Sequence, residues 1–202
     1  KGDAVEQILK RARERRVEME RCGLKFVNRI SKNRKQDQGV ALDIIAKRMN
    51  SLDGWLKDRG RSNRADLLLL DGVNTPANVG LLIRSATAFG LDGIIIPRKG
   101  SPPVSPLVVK ASAGTALSAP ILKAESVSTA IDQLRGHGFH IVGVDMQGLP
   151  INDCKPDRNT VWVLGNETDG LSHKTRDALD EIASIPMVGP VESLNVACAG
   201  SI

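Results

Sequence analysis

From Leu67 onward, short apolar runs alternate along the chain with stripes of apolar residues at helical spacing. Each run has the length of a buried strand, and each stripe repeats with the period of one helix face. The predicted strands are 67–70, 93–97, 140–146, 160–164 and 182–187. Helices are predicted from the stripe over 79–86, from Ser105-Pro106, from the stripe over 127–134 and from Ser172 through Leu179. Strands that alternate with helices in this way predict an α/β fold, a mostly parallel sheet with helices on both faces.

The first 64 residues follow a different pattern and predict a small N-terminal region. One face of a first helix is marked by Val5, Ile8, Leu9 and Ala12. A second helix is predicted over 40–56, with Ile45, Met49, Leu52 and Leu56 on its apolar face. Residues 59–64 include no apolar residue and are interpreted as a linker. We therefore expect two regions, 1–64 and 65–202.

Length and composition are those of one globular domain with a small appendage, at 202 residues, 41% hydrophobic and 25% charged. No apolar run reaches the roughly 18 residues that span a bilayer, so we expect no membrane segment. Three cysteines, Cys22, Cys154 and Cys198, lack paired spacing, which argues against a disulfide framework and predicts a reducing, cytoplasmic location. Aromatic residues are 2% of the chain, which argues against recognition of RNA bases on an aromatic sheet.

Charge is distributed unevenly between the two regions. Residues 1–64 carry 18 Lys and Arg against 9 Asp and Glu, whereas residues 65–202 carry 10 against 14. The positive charge is densest in Lys10-Arg11-x-Arg13-x-Arg15-Arg16 and Lys32-x-Arg34-Lys35. A basic arm on a mildly acidic body indicates that the arm meets a polyanion such as RNA. The alternative is a solvated helical surface.

Polar and glycine-rich segments follow three of the predicted strands, at 74–80, 165–171 and 186–195. Ligands of parallel sheets bind beyond the carboxyl ends of the strands, so these segments are the candidate site. The chain has no G-x-G-x-x-G after a strand, no P-loop and no G-x-S-x-G, which argues against the standard nucleotide and serine-hydrolase sites. The three histidines have no ligand spacing, and we expect no metal site.

The three segments carry recognisable motifs. These are Asn78-Val79-Gly80-x-x-x-Arg84, Leu164-Gly165-Asn166-Glu167-x-x-Gly170-Leu171, and Ile185-Pro186-Met187 followed by Glu192-Ser193-Leu194-Asn195-Val196. In this order they resemble the motifs of the SPOUT class of RNA methyltransferases, in the TrmH-like branch that methylates ribose 2′-hydroxyls. The resemblance covers about 67–202 and includes Lys110-Ala111-Ser112-Ala113-Gly114. Gln38-Gly39-Val40 resembles the end of the small L30e-related RNA-binding domain that often precedes this catalytic domain.

The resemblance implies a C-terminal trefoil knot that forms a pocket for S-adenosylmethionine. It also implies an isologous homodimer in which each pocket lies near the partner subunit. The predicted helix over 79–86 and the final helix carry more apolar residues than packing on their own sheet needs, which supports this expectation. These residues are Leu81, Leu82, Ala86, Val196, Ala197 and Ala199. The family's final helix is longer than the residues between Ser193 and Ile202 allow, so we expect this helix to be truncated.

Roles for single residues follow from the same resemblance. Cofactor-binding positions are Gly165, Asn166, Gly170, Ile185, Met187 and Leu194. Catalytic positions are Arg84, Asn78, Glu167, Ser193 and Asn195. The family's arginine is assigned the activation of the ribose hydroxyl, but a guanidinium has only donors, so a bidentate contact with the substrate phosphate fits its chemistry better. Glu167 would orient Arg84 or help to take the proton.

Each of these residues also has a simpler structural interpretation. The glycines could form an ordinary turn, the apolar residues could be core, Arg84 could be solvated, and Ser193 could cap the final helix. The leading hypothesis is S-adenosylmethionine-dependent 2′-O-ribose methylation of structured RNA, with ribosomal RNA preferred over transfer RNA. The alternatives are a non-catalytic RNA-binding protein with a knotted domain and an RNA methyltransferase that acts on a base nitrogen.

Overall fold

The computed structural model of the protein describes residues 2–31, 39–44, 49–60, 64–154 and 158–202. Seven strands, numbered in chain order, form one sheet: β1 Asn50–Ser51, β2 Asp66–Leu70, β3 Gly93–Pro97, β4 Ile121–Ala124, β5 His140–Pro150, β6 Thr160–Leu164 and β7 Glu181–Ser184. Eight α-helices are described: α1 Gly2–Glu14, α2 Leu24–Ser31, α3 Leu52–Arg59, α4 Pro76–Ala88, α5 Pro106–Ala111, α6 Val127–Gly136, α7 His173–Arg176 and α8 Val196–Ala199. A short 3-10 helix spans Thr115–Leu117. None of the helices described has the length and apolar character needed to cross a membrane.

The chain forms two compact units, Lys1–Ala46 and Lys47–Ile202. In the first unit, α1 and α2 are amphipathic, and Val27 of α2 is buried. The first basic cluster lies along and just after α1, while Lys32-x-Arg34-Lys35 and Gln38 lie outside the described residues. The second unit includes α3, although α3 lies before the predicted boundary between residues 64 and 65.

All six pairings in the sheet are parallel, in the order β1-β4-β3-β2-β6-β5-β7. Alternate residues of β2 enter two different cores, because successive side chains of a strand point to opposite faces. Leu67 and Leu69 pack with α3 and α6, while Leu68 and Leu70 pack with α4, α5 and α8. The predicted α/β fold with helices on both faces is confirmed. The trefoil knot stays a prediction.

Several predicted elements have different bounds, and one is wrong. A helix over 40–56 does not form, since residues 40–44 are neither helix nor strand. Ser51 begins α3 instead, because its side chain accepts a hydrogen bond from the Gly54 N–H and caps the helix. Residue Ile45 of the predicted apolar face lies outside the described residues.

Three differences concern short elements. β4 is not predicted from the sequence, and β1 pairs with it at the edge of the sheet. α7 begins after its predicted cap, Ser172, but ends at Arg176 rather than at Leu179. β7 spans 181–184 rather than 182–187. Such short segments acquire their structure from strand pairing and packing, which local patterns do not encode.

The order of the strands places an opening at the centre of the sheet. From β2 the chain continues through α4 to β3 on one side, and from β6 it continues through α7 to β7 beyond β5 on the other. Neighbouring strands whose connections diverge in this way leave a crevice outside their carboxyl ends. The loops after β2 and β6 therefore border the position where a ligand is expected.

Candidate functional site

A cleft of about 250 Å³ lies beside residues 144–146 of β5 and at the carboxyl ends of β6 and β7. Eight of the predicted site residues line it: Gly165, Asn166, Glu167, Gly170, Ile185, Met187, Ser193 and Leu194. The structure thus brings together the second and third sequence motifs, which α7 and β7 separate along the chain.

The turn after β6 forms one wall of the cleft and requires glycine at two positions. A Cβ at Gly165 would lie 2.3 Å from the Gly170 carbonyl carbon and 2.4 Å from the Leu171 nitrogen, which is too close for any side chain. Gly170 has a φ of +68°, in the left-handed region that favours glycine. This close approach of the backbone to itself lets the two ends of the turn pair with each other.

Asn166 closes the same turn and ties it to the neighbouring strand end. Its backbone pairs with Gly170 in both directions, at N···O distances of 2.9 and 3.0 Å. Its side-chain Nδ2 donates to the Gly72 carbonyl at 2.7 Å, and its Oδ1 accepts from the Thr168 N–H at 2.7 Å. All polar atoms of Asn166 are therefore used in shaping the turn, so its side chain supports the cleft rather than offering a free amide.

A chain of three polar side chains joins the three motifs. Buried Asn78, near the start of α4, donates from Nδ2 to Glu167 Oε1 at 2.5 Å. Its Oδ1 accepts from Asn195 Nδ2 at 3.3 Å. Asn195 Oδ1 in turn accepts from the Ala197 N–H at 2.9 Å and caps α8. One oxygen of Glu167 is thereby held at the cleft wall, while the other has no hydrogen-bond partner within the described ranges.

Two of the predicted catalytic residues, Arg84 and Ser193, take no part in the hydrogen-bonded chain of Asn78, Glu167 and Asn195. Arg84 is exposed on α4, makes no hydrogen bond or ion pair with any described residue, and does not line the cleft. Six residues after Asn78 it lies about 240° around the helix, which points it away from the hydrogen-bonded chain. Ser193 lines the cleft but does not cap α8, because Asn195 occupies that position.

The opposite wall of the cleft is apolar. Ile185 is half-buried, and the Met187 and Leu194 residues each retain 39% of their accessible surface. These side chains stand on the loop between β7 and α8, so they remain available to a ligand rather than being consumed by the core. A cleft with one polar wall and one apolar wall suits an amphipathic ligand such as a nucleoside.

Sequence reasoning missed Asp145, whose side chain lines the cleft and is 10% exposed. It forms an ion pair with Arg176 of α7. The signal was a charged residue near the end of the apolar run of β5, a position that a buried parallel strand seldom gives to a carboxylate. No group of three or more metal-ligating side chains was found in the portion of the chain that the structure describes.

Comparison with known proteins shows the family of the chain. Residues 66–202 match the model of the SpoU rRNA methylase family. A TrmH family tRNA/rRNA methyltransferase of Staphylococcus aureus strain MSSA476 is 30% identical over 204 residues, which cover 100% of this chain and 82% of the relative.

Two solved structures share the fold of the second unit. The SpoU methyltransferase AviRb from Streptomyces viridochromogenes, in complex with the cofactor AdoMet, is 33% identical with a TM-score of 0.63, over 71% of this chain and 60% of that one. An AdoMet-bound rRNA methyltransferase from Sinorhizobium meliloti is 29% identical with a TM-score of 0.68, over 77% and 58%. The chain thus spans less than two thirds of either solved protein.

The fold and the cleft define the general class of the protein: an α/β protein with a cleft beside the central crevice of its parallel sheet. More narrowly, the chain belongs to the SpoU rRNA methylase family of RNA methyltransferases. The family resemblance inferred from the three motifs is confirmed.

Proposed function

We propose that the protein transfers the methyl group of S-adenosylmethionine to a ribose 2′-hydroxyl of structured RNA, with ribosomal RNA as the preferred substrate. The observation that carries the proposal is the hydrogen-bonded chain of Asn78, Glu167 and Asn195 at the wall of the cleft. Glu167 lines the cleft, and its carboxylate is held by Asn78 of the first motif, which is itself bonded to Asn195 of the third. The rRNA preference is supported by the family match and by the solved rRNA methyltransferase.

The cleft fits the cofactor on structural grounds. The turn after β6 lines the cleft, so backbone groups of the turn that lie outside the Asn166–Gly170 pair can hydrogen-bond an adenine edge. Ile185, Met187 and Leu194 offer an apolar surface to the adenosyl group. When bound, S-adenosylmethionine supplies an electrophilic methyl group.

Glu167 is the residue best placed to act on the substrate hydroxyl. Asn78 holds its Oε1, and its Oε2 is left to accept the 2′-hydroxyl proton as the oxygen is alkylated. Arg84 has donors only and would hold a phosphate of the RNA by a bidentate contact. In this chain Arg84 projects from the exposed face of α4. The contact with a phosphate would therefore form on that face, which also carries Leu81.

The proposed homodimer bears on the same surface. Of the apolar residues that suggested it, Leu82, Ala86, Val196 and Ala197 are buried within their own chain and give no support. Leu81, at 43% exposed, points outward from α4 together with Arg84. Covering this face by a second copy would bring Arg84 to the interface. A cytoplasmic location is proposed because Cys22, Cys154 and Cys198 are all free thiols.

The experiment compares Glu167→Gln with the unmodified protein on cellular RNA from cells that lack the gene. Methyl transfer is followed by mass spectrometry of the nucleosides, and cofactor affinity by calorimetry. We expect a 2′-O-methylated nucleoside with the unmodified protein and a loss of about 10²-fold or more with the variant, because a general base is removed. Cofactor affinity should change by less than about three-fold, since the neutral side chain still accepts from Asn78.

Glu192→Gln is the matched control, because Glu192 lines the same cleft but lies outside the hydrogen-bonded chain. It should retain most of the activity. A product methylated on a base nitrogen would replace the ribose assignment. Cofactor and RNA binding without any methyl transfer by the unmodified protein would favour the non-catalytic alternative.

A further inference from the structure

Asp145 occupies an irregular part of β5 beside the cleft. Val144 and Leu149 both pair with Ala183 of β7, so the residues between them are displaced from the regular ladder. Irregularities of this kind re-aim side chains and are common next to active sites. Asp145 lines the cleft, although only 10% of its side chain is exposed. The proposed function gives this carboxylate no role.

The same carboxylate lies next to the glycine turn that follows β6. Val144 of β5 pairs with Leu164 of β6, so Asp145 and Gly165 are the next residues on two neighbouring parallel strands. A Cβ at Gly170, at the other end of the turn, would lie 3.6 Å from Asp145 Oδ2. The structure thus places a carboxylate directly beside a turn that is itself part of the cleft wall.

The two oxygens of the Asp145 carboxylate have different partners. Oδ2 forms an ion pair with Arg176 of α7. Among the described residues, Oδ1 accepts one hydrogen bond, a long one of 3.4 Å from the Gln147 N–H. Each carboxylate oxygen can accept two hydrogen bonds, so both retain unused capacity. An almost buried acceptor of this kind favours a ligand that brings hydrogen-bond donors into the cleft.

Arg176 holds the carboxylate from outside the cleft. It is the last residue of α7, which begins after Ser172. The Ser172 N–H donates to Asp71 Oδ2 at 3.0 Å, and the Ser172 hydroxyl accepts from the Thr175 N–H at 3.3 Å. The helix is therefore fixed at its start, and its last residue reaches Asp145. Because Arg176 is not among the residues that line the cleft, an effect of this arginine on a ligand should act through Asp145.

We propose that Asp145 accepts hydrogen bonds from the ribose hydroxyls of S-adenosylmethionine and that Arg176 is a positioning residue for its carboxylate. The neighbouring 2′- and 3′-hydroxyls of a ribose are two donors, which match the two oxygens of one carboxylate. Dinucleotide-binding α/β folds likewise use a carboxylate close to a glycine-rich turn to bind a ribose hydroxyl. The inference rests on the proposed function, in which this cleft holds the methyl donor.

The assignment gives the two carboxylates of the cleft separate roles. Asp145 belongs to β5, on one side of β6, whereas Glu167 is held by Asn78 of α4, which follows β2 on the other side of β6. A ribose of the methyl donor held on the β5 side leaves the Glu167 side to the substrate hydroxyl. Asp145 would thus bind and orient the donor, and Glu167 would act on the acceptor.

The test compares two ligands by calorimetric titration of the full chain: S-adenosylhomocysteine and its 2′,3′-dideoxy analogue. The analogue lacks both ribose hydroxyls and keeps the base and the amino-acid part. We expect the unmodified protein to bind S-adenosylhomocysteine at least ten-fold more tightly, because the analogue loses hydrogen bonds to a charged group. Asp145→Asn should weaken S-adenosylhomocysteine binding at least five-fold and binding of the analogue less than two-fold.

This dependence on the ligand separates a ribose contact from a structural role. A variant that only deforms the cleft would weaken binding of both ligands equally. Arg176→Gln should cause a smaller loss that is again confined to S-adenosylhomocysteine, and Arg176→Lys should restore part of it. The double variant Asp145→Asn/Arg176→Gln should bind no more weakly than Asp145→Asn alone, because the arginine acts through the carboxylate.

Asp169→Asn is the matched control. It makes the same chemical change in the turn after β6, but Asp169 is exposed and is not among the residues that line the cleft. Both affinities should therefore stay within about two-fold of those of the unmodified protein, since the contact with the ribose is kept.

Equal affinity of the unmodified protein for the two ligands, or equal weakening of both by Asp145→Asn, would overturn the inference. Mass spectrometry of nucleosides from treated RNA separates this failure from that of the proposed function. Ribose methylation by a protein that does not distinguish the ligands removes only the ribose contact. A protein that distinguishes them but forms no 2′-O-methylated nucleoside keeps the ribose contact and loses the proposed reaction. Binding of neither ligand would overturn both.

Discussion

Gly165 shows how one residue can determine the shape of the cleft. The residue has an ordinary backbone conformation, so conformational freedom is not the reason for glycine there. Space is the reason, because the backbone of Gly170 and Leu171 passes where a Cβ would stand. Backbone atoms cannot move aside as the end of a flexible side chain can, so the turn must open if any side chain is added.

Gly165→Ala is therefore expected to lower the free energy of unfolding by about 1–3 kcal/mol, the usual cost of overpacking. It should also weaken S-adenosylmethionine binding at least ten-fold, because the turn that lines the cleft is displaced. Urea denaturation and calorimetric titration measure the two effects.

Gly189→Ala is a matched control, since nothing lies within 4 Å of the Cβ position at Gly189 and its φ is not positive. That change should leave both quantities nearly unaltered. Equal stability and affinity for the two variants would mean that the turn is not held as closely as the structure shows.

The edge strand β7 is fastened to β5 by a small group of ionisable side chains. His140 Nε2 lies 3.0 Å from Glu181 Oε2, and the Cys154 thiol donates to Glu181 Oε1 at 3.3 Å. The hydrogen bond from His140, and then that from Cys154, lowers the pKa of Glu181 below its usual 4.5. Burial, followed by the bond to Glu181, raises the pKa of Cys154 to about 11. Since β7 leads into the apolar wall of the cleft, this group anchors one side of the site.

The lowered pKa makes this anchor sensitive to acid. A carboxylate whose pKa is lower in the folded than in the unfolded protein stabilises the fold above the unfolded value, and that contribution is lost as the pH falls through the folded value. We expect Glu181→Gln to destabilise the protein at pH 7 and the difference from the unmodified protein to shrink below about pH 4.5.

Urea denaturation at a series of pH values measures this difference. Glu192→Gln is the control, because Glu192 is exposed and makes no side-chain hydrogen bond with a described residue. A Glu181→Gln penalty that stays constant down to about pH 3 would show that the carboxylate charge contributes nothing to the anchor.

Charge divides the whole chain into a basic arm and an acidic body. Several arginines of the first basic cluster are exposed on or next to α1, namely Arg11, Arg13, Arg15 and Arg16. RNA binding through such residues releases counterions, so the logarithm of the affinity should fall linearly with the logarithm of the salt concentration. The body, with its surplus of acidic residues, should contribute little to that dependence.

Replacing these four arginines by glutamine should flatten the salt slope by roughly 0.7–0.9 for each RNA phosphate that the variant no longer neutralises. Fluorescence anisotropy with a labelled RNA hairpin over a range of potassium chloride concentrations gives the slope. Lys174→Gln, an exposed change on α7, serves as the comparison and should leave it unaltered. An unchanged slope in the quadruple variant would mean that the arm is a solvated helical surface.

Assembly is tested at the exposed face of α4. Light scattering at micromolar concentration should return a dimer mass, and Leu81→Glu should shift it toward the monomer because a charge would be buried in the interface. The control is Leu149→Glu, because Leu149 is also an exposed leucine but lies on β5; this variant should remain a dimer. A monomer that still transfers methyl groups would remove the second copy from the mechanism.

Local patterns in the sequence were sufficient for much of the fold and for the general location of the site. The apolar run of β2 indicates a strand buried on both faces, Ser105-Pro106 marks the start of α5, and the cap at Ser172 marks that of α7. Each of these signals depends on residues within a few positions of one another. The rule that ligands bind at the carboxyl ends of parallel strands then directed attention to the loops after β6 and β7, which line the cleft.

Contacts between distant segments could not be obtained in this way. Asn78 meets Glu167 across 89 positions and Asn195 across 117, and the carboxylate of Asp71 meets the Ser172 N–H across 101. Strand order and register bring these groups together, and a local pattern of apolar and polar residues specifies neither. Arg84 differs, because the apolar stripe over 79–86 already indicates which face of α4 packs on the sheet, and Arg84 lies off that stripe and is exposed. The type and approximate position of most elements are thus determined by short stretches of sequence. The bounds of the short elements and the pairing of polar groups across the crevice arise instead from packing of the whole second unit.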